Sequence, residues 1–301
     1  MSNNPIYAAI EAGGTKWLVS VGTSPETAVQ TRIPTEHPEV TMGAAVDFIA
    51  EQIKQQGAIQ AIGIGSFGPI GINPDDTDYG VIGKTPKPHW TGVDLFSTFS
   101  QFNVPLKIES DVNAAALAEA KSLLPNDEGR LIYITVGTGI GAGVVDNGRV
   151  SNGVHHPEMG HIRLPHHPDD NYAGHCPIHG ACLEGLACGP AIIDRWGKDL
   201  STLGSSHESH DIIAYYLGGF AANLLLTYAP NYIVLGGGVS LTEGLLSRVR
   251  QQAFKQLGGY LARFNQADGL GAVIQAPSLD TLSGISGAYL LAAQALQAHC
   301  A

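Results

Sequence analysis

Seven of the 12 histidines in this 301-residue chain fall between His155 and His179, in company with Cys176 and Cys182. Two residues separate Cys176 from His179 and His179 from Cys182, so one short loop can present three donors. His161 can supply a fourth, with His175 as its competitor, to make a tetrahedral set of two thiolates and two imidazoles. That chemistry favours zinc over magnesium or calcium, which take oxygen ligands. A closed four-ligand site leaves no position for a substrate, so the zinc is expected to be structural. Cys188 and Cys300 read as ordinary packing residues.

Three glycine clusters follow predicted strands: Gly13-Gly14-Thr15-Lys16, Gly137-Thr138-Gly139-Ile140-Gly141 and Gly236-Gly237-Gly238. Without a Cβ, backbone N–H groups can converge on phosphate oxygens, and a neighbouring hydroxyl or ammonium adds donors. One such cluster is better explained by a tight turn, but three in matching contexts suit a nucleotide polyphosphate. A P-loop is excluded, because Asp78 stands where the glycine ahead of Gly83-Lys84-Thr85 is needed. A dinucleotide fingerprint fits by spacing at Gly63, Gly65 and Gly68 and at Gly137, Gly139 and Ala142. Neither leads into a helix: Gly68 runs into Pro69, and Ala142 into strand-like Gly143-Val144-Val145.

Asp111 lies between a predicted strand, 106–109, and a predicted helix, 112–122, at the strand end where open α/β sheets hold ligands. An ionised carboxylate there could accept the proton of an attacking hydroxyl; on local sequence alone it could equally cap the helix.

The elements that must position these groups alternate as in an α/β protein. Strands are expected at 6–11 and 17–21, joined by a glycine turn, then at 61–65 and 106–109, with helices at 42–56, 94–102 and 112–122. The strand, glycine turn, strand pattern returns at 131–136 and 142–146, about 120 residues later, and suggests duplicated halves. Helices follow at 190–197 and 211–228, a strand at 232–235, a helix from Ser240 whose spacing to Glu243 is that of a capping box, and a last helix at about 286–297. We expect an N-terminal domain at 1–112, with a C-terminal helix at about 286–301 packing back on it. A second domain is expected at 113–301, carrying a His-, Pro- and Cys-rich insertion at 152–189.

Sixteen Lys and Arg against 27 Asp and Glu leave a net charge of -11, which argues against a nucleic-acid partner. The first residues carry no basic side chain, so no targeting peptide is expected. Asn223, Pro230 and Asn231 interrupt the longest apolar stretch, so no membrane span is expected either. Four cysteines are too few for a secreted disulfide scaffold, and a cytoplasmic protein is the expectation.

Taken in order, these segments resemble the ROK family of sugar kinases, within the actin-like, or ribonuclease H-like, ATPase superfamily. Glu11 to Lys16 and Gly137 to Gly141 are similar to its two phosphate segments, and Leu235 to Gly238 to its adenosine segment. Ser66-Phe67-Gly68-Pro69, Glu109 to Ala115 and His156 to His161 are similar to its sugar-site segments. Ser110-Asp111 and the block from His175 to Gly185 most resemble the bacterial fructokinase branch.

The resemblance implies two duplicated α/β domains with a cleft between them, and transfer of the γ-phosphoryl of MgATP to the 6-hydroxyl of D-fructose. Glucose, mannose or N-acetylmannosamine are the alternative sugars, and a non-catalytic sugar sensor the alternative class. It implies Asp111 as general base and Glu158 and Glu184 as sugar ligands, with Gly68, Thr85 and Ser110 lining the same site. It implies ATP contacts from Gly13, Gly14, Thr15, Lys16, Gly137, Thr138, Gly139, Pro190, Gly236, Gly237, Gly238 and Ser240. The metal set is His161, Cys176, His179 and Cys182. Glu11 and Ser110 depart from the commoner Asp and Asn of the family, so a magnesium contact at Glu11 stays open. Only five residues precede the first strand, too few for the helix-turn-helix module of a ROK repressor. A homodimer is the expected assembly.

Overall fold

The computed structural model describes residues 4–264 and 266–300. In chain order the elements are β1 (Tyr7–Ala12), β2 (Lys16–Gly22), β3 (Val29–Pro34), α1 (Pro38–Gln56), β4 (Ala61–Ser66), α2 (Leu95–Phe99), β5 (Leu106–Ser110) and α3 (Asp111–Leu123). They continue as β6 (Arg130–Val136), β7 (Ile140–Asp146), β8 (Arg149–Val150), α4 (Leu183–Ala187), α5 (Gly189–Trp196), α6 (Ser209–Tyr228), β9 (Tyr232–Gly236), α7 (Leu245–Leu257), β10 (Ile274–Gln275) and α8 (Ser283–Cys300). The chain forms two compact units. The first runs to Ala118 and includes Val150–His156 and the residues from Leu279 on; the second is Glu119–Arg149 with Pro157–Ser278. The division falls inside α3, a little beyond residue 112.

Each unit holds a five-stranded mixed sheet, ordered β3-β2-β1-β4-β5 in the first and β10-β9-β6-β7-β8 in the second. Read from the other edge the second order is β8-β7-β6-β9-β10, strand for strand the pattern of the first. In both, the first two strands form an antiparallel hairpin and the later strands add in parallel. The recurrence at the glycine turns is therefore a repeated topology.

In the first unit, Trp17, Trp90 and Phe99 form the aromatic centre of the core, with the Trp17 and Trp90 rings 5.7 Å apart. The opposite face of the sheet is covered by α8, whose Ile285, Ala288 and Tyr289 pack on Ala9 and whose Ala292 and Ala295 pack on Ala61. In the second unit α6 is apolar almost all round and nearly wholly buried, as a central helix must be. The loop-rich insertion is tied to it by one buried polar knot. Asp170 accepts from the Tyr216 hydroxyl at 2.6 Å, the Tyr172 N–H at 3.0 Å and the Arg195 guanidinium at 2.8 Å. Burial pushes the Asp170 carboxyl up, but these donors outweigh it and hold its pKa below the ordinary value.

Several elements differ from expectation: the short β8, β10 and α4 lie outside every expected span, and three further differences have a clear cause. β3 was not foreseen: only Ile33 of its residues is buried, so this edge strand has no apolar alternation to read. α1 starts at Pro38, which occupies its first turn, four residues before Met42. α7 begins at Leu245 after Gly244 in the left-handed region, so Ser240 and Glu243 form no capping box and Ser240 lies in a turn instead.

Candidate functional site

In the first unit, β1, β4 and β5 run parallel with Ala12 opposite Ser66 and Ser66 opposite Ser110. The residues that follow, Gly13, Phe67-Gly68 and Asp111, therefore leave the sheet along one carboxyl edge. Asp111 opens α3, and the cap is made by its neighbour: Ser110 Oγ accepts from the Asn113 N–H at 3.2 Å. Asp111 Oδ1 accepts from the Val112 N–H at 2.8 Å. Capping is thus assigned to Ser110, which is almost wholly buried, while the Asp111 carboxylate sits at the first turn of the helix.

Glu109 and Asn113, on either side of Asp111, belong to a hydrogen-bonded group whose third member, Asn152, the sequence did not single out. Glu109 Oε1 accepts from the Ser110 N–H at 3.0 Å and from Asn113 Nδ2 at 2.9 Å. Asn152 Nδ2 donates to Glu109 Oε2 at 3.0 Å, and Asn113 Nδ2 donates to Asn152 Oδ1 at 3.0 Å. The signal available was Asn113 itself, a poor helix former set among alanines.

Gly68 packs on His156, whose ring lies 3.2 Å from where a Cβ would stand and whose Nε2 accepts from the Ile70 N–H at 3.2 Å. Thr85 is half-buried in the same long connection, its Oγ1 accepting from the Lys87 N–H at 3.3 Å. The Gly13 to Lys16 turn closes through Gly13 N–H to Lys16 O at 3.1 Å and is braced by Thr35, whose Oγ1 donates to Gly13 O at 2.7 Å. Gly14 is open on its Cβ side, and Lys16 is exposed. Glu11 lies against α8: a Cβ on Gly284 would come within 2.5 Å of its carboxylate. Burial raises the Glu11 carboxyl above its ordinary pKa, against the pull of Lys16 and Arg32.

In the second unit, Thr135 of β6 is level with Gly236 of β9, so the Gly137–Gly139 turn and Gly237-Gly238 also leave one sheet edge together. The Val239 N–H donates to Val136 O at 2.9 Å, and Gly237, at φ +85°, lies so close to Val136 that a Cβ would meet its backbone at 2.5 Å. The Gly189 N–H, beside Pro190 in the first turn of α5, donates to Gly137 O at 2.7 Å. Gly137 and Gly238 are open on their Cβ sides. Ser240 Oγ is buried, with no hydrogen-bond partner among the described residues. Gly139 also has a packing reason to be glycine: Glu184 Oε2 lies 2.7 Å from the Cβ position and accepts from the Ile140 N–H at 2.9 Å. Glu184 thus holds the glycine turn from a distance of 44 residues.

His161, Cys176, His179 and Cys182 bring their donor atoms within 4.8 Å of one another. Cys182 Sγ is 3.5 Å from His161 Nδ1, and Cys176 Sγ is 3.9 Å from His161 Nδ1 and 3.8 Å from His179 Nδ1. Such edges match a tetrahedron around an ion with bonds of about 2.0–2.3 Å to nitrogen and sulfur. Burial pushes the Cys182 thiol up to about 11, so a thiolate there calls for a bound cation. His175 does not join the set; its Nδ1 lies 3.7 Å from Asp194. Cys188 is buried as expected, whereas Cys300 is exposed on α8 rather than packed.

The His/Cys cluster is built into the elements that carry Glu158 and Glu184. His161 ends a single 3₁₀ turn whose N–H donates to Glu158 O at 3.1 Å. The Leu183 N–H donates to Ile162 O at 2.9 Å, and Cys182 caps α4, accepting from the Gly185 N–H at 3.5 Å. Glu158 is exposed and Glu184 half-buried.

Two mixed-sheet units, each with a glycine turn between its first two strands, define the actin-like class of ATPase folds. The chain belongs to the ROK family, whose model matches residues 7–295. It is 40% identical over 294 residues to the fructokinase of Pediococcus pentosaceus, covering 97% of this chain and 99% of that one. It is 39% identical over 297 residues to the fructokinase of Zymomonas mobilis, covering 97% of each. Its structure is similar to that of a ROK hexokinase from Thermus thermophilus, at TM-score 0.71 and 27% identity, over 97% of this chain and 99% of that one.

Proposed function

We propose that the protein is a fructokinase, transferring the γ-phosphoryl group of MgATP to the 6-hydroxyl of D-fructose. Similarity to fructokinases along nearly the whole chain supports the substrate. The observation that carries the residue assignment is the register that sets Asp111 and the first phosphate turn on one edge of parallel strands. Asp111 takes the proton of the 6-hydroxyl as that oxygen attacks the γ-phosphorus and ADP departs. Glu158 and Glu184 accept sugar hydroxyls and so fix which oxygen attacks. Ser110, Gly68 and Thr85 line the sugar site. The turns at 13–16, 137–139 and 236–238, with Pro190 and Ser240, hold the nucleotide, and magnesium arrives on its phosphates.

His161, Cys176, His179 and Cys182 would hold zinc, which supplies a structural crosslink and no reacting bond. Their thiolates need a reducing compartment, which supports the cytoplasm; no described helix is long and apolar enough to cross a membrane. The proposed assembly is a homodimer. A coupled ADP-release assay over fructose, glucose, mannose and N-acetylmannosamine, with Asp111→Asn in parallel, tests the reading. Fructose should give the highest kcat/KM, and the variant should bind fructose while turnover falls about 10²- to 10⁴-fold. Near-normal turnover by the variant refutes the base; a better hexose refutes the substrate.

A further inference from the structure

We infer that Asn152 is a positioning residue for the Asp111 carboxylate, acting through Glu109 and Asn113; the inference rests on the general-base reading of Asp111. The three side chains form a closed triangle, with 2.9 Å from Asn113 to Glu109 and 3.0 Å on each of the other two sides. Two of its corners bracket Asp111 in sequence. Glu109 also grips the Ser110 N–H, and Ser110 in turn caps the Asn113 N–H, so the backbone on both sides of Asp111 is fixed by side chains. The third corner comes from elsewhere: Asn152 lies 43 residues beyond Glu109, in Val150–His156.

Stability alone does not account for the triangle. Glu109 and Asn113 are only 5% and 0% exposed, and Asn113 Oδ1 is buried with no hydrogen-bond partner among the described residues. An all-apolar interior would avoid that unpaired acceptor, and a fold keeps such a group where its geometry serves something else. Asn152 by contrast is exposed, so its two hydrogen bonds contribute orientation more than packing. It holds the Glu109 carboxylate in the rotamer that grips Ser110, and through it the first turn of α3 that carries Asp111. It also anchors the segment that runs into Pro157-Glu158, so the segments bearing the proposed base and one proposed sugar ligand start from one hydrogen-bonded group.

The test is a double-mutant cycle of Asn152→Ala and Asp111→Asn, reading kcat, both KM values and melting temperature. Asn152→Ala should lower kcat about 10-fold, within the range that misplacement of a catalytic group produces, with the MgATP KM nearly unchanged; the melting temperature should fall by the same amount in both Asp111 backgrounds. In the Asp111→Asn background the same substitution should cost nothing further. Asn152→Asp, which sets a carboxylate against Glu109, should lose at least as much as the alanine variant. A kcat within two-fold of the parent for either Asn152 variant, or the same fractional loss with and without Asp111, overturns this inference alone. Near-normal turnover by Asp111→Asn overturns both it and the reading of the base.

Discussion

Replacing Gly139 by alanine isolates what Glu184 does for the second glycine turn. The new methyl would stand 2.7 Å from Glu184 Oε2, inside van der Waals contact, and the carboxylate must give by several tenths of an ångström. Being the far end of a flexible side chain, it can move, but it then releases the Ile140 N–H it holds at 2.9 Å. Loss of a hydrogen bond to a charged group costs about 1.5–3 kcal/mol. At about 1.4 kcal/mol per factor of ten, kcat/KM for fructose should fall roughly 10- to 150-fold if the whole cost reaches the transition state. Steady-state kinetics and thermal melts of Gly139→Ala, Glu184→Ala and the double variant measure it. Once Glu184 is truncated the methyl has room, so Gly139→Ala should add nothing further. An equal loss in both backgrounds would refute the account, because the glycine would then serve the phosphate and not the carboxylate.

Chelation to full metal loss, followed by atomic absorption, should find one zinc per chain and raise the fructose KM; an unchanged KM in the stripped protein would show that the cluster does not organise Glu158 and Glu184. Asp170 has a folded pKa below its unfolded value of about 3.9, so its stabilising contribution is full above that value and is lost as pH falls through the folded pKa. Asp170→Asn should therefore lower the melting temperature at pH 7 and narrow the gap to the parent protein in melts near pH 3. Gly63→Ala should be far more damaging than its size suggests, since the added carbon would lie 1.9 Å from the Ala288 carbonyl of α8. Overpacking of this kind costs about 1–3 kcal/mol or more, and a melting temperature equal to the parent's would contradict it.

The fold was legible wherever burial imposed a period. β1, β4, β6 and β9 are short apolar runs ending at, or immediately before, glycine or serine, and each lies within about a residue of its expected span. Where a strand is half solvent, as in β3, nothing periodic remains to read. The capping-box spacing of Ser240 and Glu243 misled because the chain first turns through Gly244, and helix-start signals do not report that detour. The candidate donor cluster could be gathered from sequence because three of its four side chains sit in one loop. The ties from Glu184 to Ile140 and from Asn152 to Glu109 could not, because they link residues 44 and 43 apart that become neighbours only after the sheets form.

The placement of α8 sets an order on biosynthesis. The strands it covers are complete at Ser110, yet the helix begins only at Ser283 and ends at Cys300. A ribosome adding about 5–20 residues per second needs roughly ten to forty seconds to bridge that gap. For that interval the face carrying Ala9, Ala61 and Gly63 has no cover, and chaperones have their opportunity to shield it.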